Sequence, residues 1–137
     1  MNAKQFAVGT VVGTVILFVL GYVIWDMLFA DFFAANSGGA TGVDRAEQIV
    51  WAVVVGTLAY GLLLTLVIKG SSRPGSIAEG VKLGAIVGVL VWGTTDFILY
   101  GVTDINNLTA VVADTLLEGV RAAISGAGVA AVVGMIK

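Results

Sequence analysis

The chain has 137 residues, of which 58% are hydrophobic and only 12% are charged, and its mean hydropathy is +1.03. A soluble domain usually carries about 25% charged residues, so this composition excludes a water-solvated domain and predicts one membrane domain over 1–137. The net charge of −2 gives no basic surface for nucleic acid, and the lipid bilayer is the expected partner.

Four apolar stretches follow one another, at 6–29, 48–68, 81–100 and 108–136. Each reaches the roughly 20 residues that a helix needs to cross about 30 Å of hydrocarbon. Helices satisfy their own backbone groups in lipid, so the sequence predicts an all-α bundle of four transmembrane helices with short loops. The first stretch is longer than a signal-peptide core and is predicted to be an uncleaved span. Asp44, with Glu47 three residues later, is predicted to cap the second span.

Cysteine and histidine are absent. Their absence excludes disulfides, thiol catalysis and the usual zinc, copper and haem ligand sets. No phosphate-binding loop, nucleophile elbow or zinc signature occurs either. We therefore expect no metal, no cofactor, no catalytic residues and no enzymatic activity.

The last span contains charges where lipid disfavours them: Asp114, Glu118 and Arg121, which share one helix face at i, i+4 and i+7. Each such charge costs about 2.5–3.5 kcal/mol at membrane depth unless it faces a bundle interior or a wet cavity. Asp96 in the third span and Asp26 in the first fall in the same half of the membrane. These five residues predict an outward-facing acidic pocket, with Arg121 at its floor, for a cation, a proton or a small polar ligand.

The alternative is a structural network, in which Glu118 and Arg121 pair at i, i+3 and Asp96 or Asp114 completes the interhelical contacts. One arginine cannot neutralise three acids, so either one carboxyl keeps its proton or a cation enters. Other polar groups expected at this depth are Tyr22, Thr94 and Thr95.

Glycines four residues apart allow helices to approach closely, and two such sets occur: Gly9 and Gly13, and Gly80, Gly84 and Gly88. We expect them to pack the first span against the third. The alternative is contact between copies of the chain in a homo-oligomer.

Basic residues near the span ends are unevenly distributed. Arg45 lies on one side of the membrane, and five lie on the other: Lys4, Lys69, Arg73, Lys82 and Lys137. By the positive-inside rule, both termini are predicted to lie in the cytoplasm.

The sequence LFADFFAANSG at 28–38, and Asn107-Leu108-Thr109 followed by Asp114, resemble segments of a group of small uncharacterised bacterial four-span inner-membrane proteins, found in Bacteroidota and relatives. The resemblance implies a four-helix fold in the bacterial inner membrane but no activity or ligand. Two functions stay open: a small transport module that uses the acidic pocket, and a non-catalytic accessory subunit of a larger membrane complex or homo-oligomer.

Overall fold

The structure is a computed structural model, which describes residues 2–136. Among these residues there is no strand. The helical elements are α1 Ala3–Gly21, a π-helical segment Tyr22–Leu28 that continues it (the π segment), α2 Ala30–Ala35, α3 Val50–Lys69, α4 Ile77–Val102 and α5 Leu108–Met135.

Four of these helical stretches are long and apolar enough to cross a membrane: Ala3–Leu28, Val50–Lys69, Ile77–Val102 and Leu108–Met135. The predicted all-α, four-span membrane bundle is confirmed. The third span begins four residues earlier than predicted because Ser76 caps it, accepting a hydrogen bond from the backbone N–H of Glu79. The predicted cap of the second span is wrong: α3 begins after Ile49 without a side-chain cap, and Asp44 lies in the wall of a cavity.

Helix α5 lies at the centre of the bundle and packs against α1, α3 and α4, while α1 also packs against α3. Helix α4 packs mainly on α5. It meets α3 lightly, where the Trp92 and Tyr60 rings stack with centroids 5.4 Å apart. The interior of the bundle is therefore built chiefly from α1, α3 and α5.

The contact between α4 and α5 is a seam of small residues. On α4 these are the predicted glycines, Gly80, Gly84 and Gly88. Each lies so close to α5 that an added Cβ would overlap its backbone. The facing residues of α5 also recur every four positions: Glu118, Ala122 and Gly126.

The glycines of the first span have different neighbours. Gly9 lies against Thr65 of α3, and Gly13 lies against Val129 of α5. The prediction that the two glycine sets pack against each other is therefore wrong, because α5 offers the small residues that α4 needs. Both glycine faces are occupied within the chain, so neither is free to join two copies.

The two chain ends meet at one end of the bundle, here named the termini end. The Gln5 amide donates hydrogen bonds to the carbonyls of Val133 (3.1 Å) and Ile136 (2.7 Å), and its oxygen accepts one from Lys69 Nζ (2.5 Å). This end also holds Lys4, Lys69, Arg73 and Lys82, four of the five basic residues predicted to lie in the cytoplasm. The fifth, Lys137, lies outside the described residues.

The opposite end, here named the loop end, consists of α2 and residues 36–49 and 103–107. Ser37 and Asn106 form an isolated β-bridge, and the Asn107 amide donates a 3.1 Å hydrogen bond to Asn36 Oδ1. Asn107 also caps α5, accepting from the backbone N–H of Ala110. These bonds hold the first and third loops together over the ends of α1 and α5.

Candidate functional site

Arg121 is buried near the middle of α5, with only 8% of its surface exposed. Its Nη1 donates to Glu118 Oε2 at 2.9 Å, so the i, i+3 pair forms within one helix. Its Nε donates to the carbonyl of Leu17 on α1, also at 2.9 Å, and its guanidinium lies 5.3 Å from the ring centroid of Trp25. A carboxylate, a carbonyl and an aromatic ring thus replace water around the charge.

The π segment places Trp25 in this position. Helix α1 passes into it directly after Gly21, and its wider turn is a feature often found at functional sites. An added Cβ on Gly21 would lie 3.1 Å from Arg121 Nη2, so the glycine makes room for the guanidinium. No feature of the sequence indicated the π segment.

Glu118 is fully buried, and only one of its oxygens is bonded. Its Oε1 has no hydrogen-bond partner among the described residues, and neither has the buried Tyr60 hydroxyl. The hydroxyl and the carboxylate lie close enough to interact. A buried donor and a buried acceptor that lack hydrogen-bond partners have spare capacity for a water or a proton.

Beside the Glu118–Arg121 ion pair, Asp96 of α4 and Asp114 of α5 form a pair of acidic side chains. The Trp25 indole N–H donates to Asp114 Oδ1 at 2.5 Å, and the Thr115 hydroxyl donates to Asp96 Oδ2 at 3.0 Å. The two carboxyls interact with each other, and neither forms an ion pair within residues 2–136. Both are half-buried. We refer to them as the carboxyl pair.

Asp26, the fifth predicted site residue, lies apart from this group. It is exposed and forms no hydrogen bond or ion pair within the described part of the chain. Its place on the π segment turns it away from α5, whereas Trp25, one residue earlier, faces α5. The structure therefore joins four of the five predicted charges.

The other polar residues expected here do not join the site. Tyr22 is 59% exposed, and the Thr94 and Thr95 hydroxyls are exposed and bond to carbonyls of their own helix. Their places are taken by Trp25 and Tyr60, together with Thr115 beside the carboxyl pair. The sequence carries one usable signal for Trp25, which lies at the same membrane depth as Asp114.

Two cavities adjoin the site at the loop end. The larger, about 700 Å³ and here named the loop-end cavity, has a wall that includes Trp25, Phe33, Ser37 and Asp44. The smaller, about 20 Å³, is lined partly by Asp96 and has room for a single water.

The termini half of the bundle interior holds no buried charge among the described residues. Its fully buried side chains include Leu64, Ile68 and Val129, and the hydroxyls of Thr65 and Ser125 are bonded to backbone carbonyls. The charged groups therefore connect with the loop end and are closed off from the termini end.

Comparison of the chain with models of protein families, with curated proteins and with solved structures finds no significant match. The resemblance to bacterial four-span inner-membrane proteins stays a prediction. Within residues 2–136, no three acidic, histidine or cysteine side chains are arranged to hold a metal ion. The chemistry that this arrangement offers is the uptake of a proton or a monovalent cation by carboxyl groups.

Proposed function

We propose that this four-span membrane protein is a small transport module that binds a proton, or a small monovalent cation in its place, at the carboxyl pair. The observation that carries the proposal is that Asp96 and Asp114 interact with each other while no basic side chain within residues 2–136 pairs with either.

The excess of acidic over basic side chains in the site supports the binding of an additional positive charge at the carboxyl pair. Arg121 is the only basic residue in the site, and it is committed to Glu118. Neighbouring carboxylates in a low-dielectric setting do not both stay ionised without a counter-charge, and in known dyads they share one proton. Asp96 and Asp114 have only neutral donors, the Thr115 hydroxyl and the Trp25 indole.

The position of the pair supports entry from the loop end. The cavity beside Asp96 adjoins this end, while buried apolar side chains close the opposite half of the interior. With both termini in the cytoplasm of a bacterial inner membrane, as the basic residues and the resemblance predict, the ion would enter from outside.

Thermal unfolding of the purified protein in detergent tests this proposal. Two separated carboxyls lose their protons at about pH 4, whereas the folded pair would keep one proton to a higher pH, so stability should rise as the pH falls from 8 to 5. A monovalent cation that replaces the proton should stabilise the protein by RT ln(1 + [L]/Kd). Asp96→Asn and Asp114→Asn should each reduce the stabilisation by low pH and by the cation. Asp26→Asn, at an exposed acid in the same half of the membrane, should reduce neither. Equal responses in all three variants would contradict the proposal.

One observation favours the accessory-subunit alternative: α4 buries only its glycine face against the rest of the chain. Its remaining faces are free to contact lipid, a second copy or a subunit of a larger complex. Chemical crosslinking in native membranes followed by mass measurement distinguishes these cases. A crosslinked partner through α4, together with no ion or pH response, would favour this alternative.

A further inference from the structure

We infer that the loop-end cavity is a second binding site, for a small organic cation of the quaternary ammonium type. Trp25 and Phe33 would supply its aromatic wall and Asp44 its counter-charge. This site is separate from the carboxyl pair and goes beyond the proposed function.

The size and lining of the cavity suit a small organic molecule. Its volume of about 700 Å³ falls within the ordinary range of ligand pockets. Its wall combines apolar and polar groups, with Ser37, Thr41 and Asn106 beside alanines and aromatic rings. No lysine or arginine is among the lining residues, so the cavity wall has no cationic side chain to attract an anion.

Trp25 is held in place before any ligand arrives. Its indole N–H bonds to Asp114, and the ring already lies 5.3 Å from a guanidinium carbon. Quaternary ammonium ions are recognised by aromatic rings through the same cation–π attraction, which is strongest for tryptophan. A fixed ring reduces the ordering cost of binding.

Part of the loop wall of the cavity is held by backbone hydrogen bonds between the first and third loops. The backbone N–H of Gly38 bonds to the carbonyl of Ile105 (2.7 Å), and that of Ala40 bonds to the carbonyl of Asp104 (2.8 Å). Gly42, with φ +70°, turns the chain so that Val43 and Asp44 also line the cavity. The two backbone bonds therefore tie residues 38–40 of the wall to residues 104–105.

The charge at this end selects a cation. Arg45 is its one basic residue among the described residues, against four acids: Asp31, Asp44, Glu47 and Asp104. Such an excess raises the local concentration of cations. Asp44 is the only carboxylate in the cavity wall, whereas calcium takes 6–8 oxygen ligands, so an organic ammonium ion fits better than a metal.

Fluorescence of Trp25 tests the inference directly. The chain has three tryptophans, and Trp51→Phe with Trp92→Phe leaves Trp25 as the sole reporter. Choline is titrated beside its neutral isostere, 3,3-dimethyl-1-butanol. We expect a saturable change with choline and none with the alcohol at equal concentration. Asp44→Asn should weaken choline binding about tenfold, equivalent to about 1.4 kcal/mol. Asp31→Asn, at an acid of the same end that does not line the cavity, should leave binding unchanged.

An equal response to the alcohol would overturn the inference, as would unchanged choline binding in Asp44→Asn. Asp96→Asn separates this site from the carboxyl pair. Choline binding retained in Asp96→Asn supports a distinct site, whether or not the carboxyl pair takes up a proton. Binding lost in Asp96→Asn but kept in Asp44→Asn would place the cation at the carboxyl pair and overturn the inference.

Discussion

The indole N–H of Trp25 donates a 2.5 Å hydrogen bond to Asp114, which joins the π segment to α5 across the bundle. The same ring covers the Arg121 guanidinium and forms part of the wall of the loop-end cavity. One side chain therefore connects the buried ion pair, the carboxyl pair and the space at the loop end.

Trp25→Phe separates the hydrogen bond from the aromatic contact, since phenylalanine keeps a ring but has no N–H. We expect the free energy of unfolding to fall by about 1–2 kcal/mol, because a hydrogen bond to a half-buried carboxyl group is lost. Equilibrium unfolding in detergent measures this change. Trp51→Phe is the matched control: Trp51 is 71% exposed, and its substitution should stay within about 0.5 kcal/mol. Equal losses in both variants would mean that the bond to Asp114 is not the cause.

Arg121→Met should destabilise the fold strongly, because it leaves the fully buried Glu118 carboxylate without its charge partner. Breaking a buried pair from one side costs about 3–5 kcal/mol. The double variant Arg121→Met with Glu118→Leu removes both charges and should recover most of that loss. Thermal unfolding of the two variants beside the wild type tests this. A double variant no more stable than the single one would show that packing, rather than the orphaned charge, sets the cost.

The four spans were predictable because each is a continuous apolar run, and run length alone identifies a membrane helix. The Glu118–Arg121 pair was predictable too, because both residues lie on one helix at a fixed spacing. Contacts between helices were not, since they depend on how each helix is rotated about its axis. The four-residue spacing of Gly80, Gly84 and Gly88 indicates that another helix packs closely on α4, but it does not show that this helix is α5.

The same limit explains the residues missed at the site. A π segment has no distinct composition, so the sequence did not indicate that Trp25 would face α5 while Asp26 would face away. Tyr60 was not among the polar residues expected at the depth of the charges. It lies on α3 with its ring stacked on Trp92, and its hydroxyl interacts with Glu118.

Gly84→Ala tests the seam between α4 and α5. An added Cβ would overlap the Ala122 carbonyl, which is backbone and cannot move aside, so we expect a loss of about 1–3 kcal/mol. Gly56→Ala is the control, since nothing lies within 4 Å of a Cβ there. Alanine favours a helix over glycine by about 1 kcal/mol, so this second variant should be neutral or more stable. Chemical unfolding in detergent compares the two, and similar losses would contradict a tight seam at Gly84.

The orientation of the bundle is testable because the chain has no native cysteine. Ala46→Cys places a single thiol in the exposed loop end, and Ser72→Cys places one in the exposed turn at the termini end. In intact bacterial cells, a membrane-impermeant maleimide should label Ala46→Cys and leave Ser72→Cys unlabelled, as the basic residues at the termini end predict. After the cells are broken open, both should react, which controls for access to each thiol. Labelling of Ser72→Cys alone in intact cells would show the opposite orientation, with the carboxyl pair open to the cytoplasm.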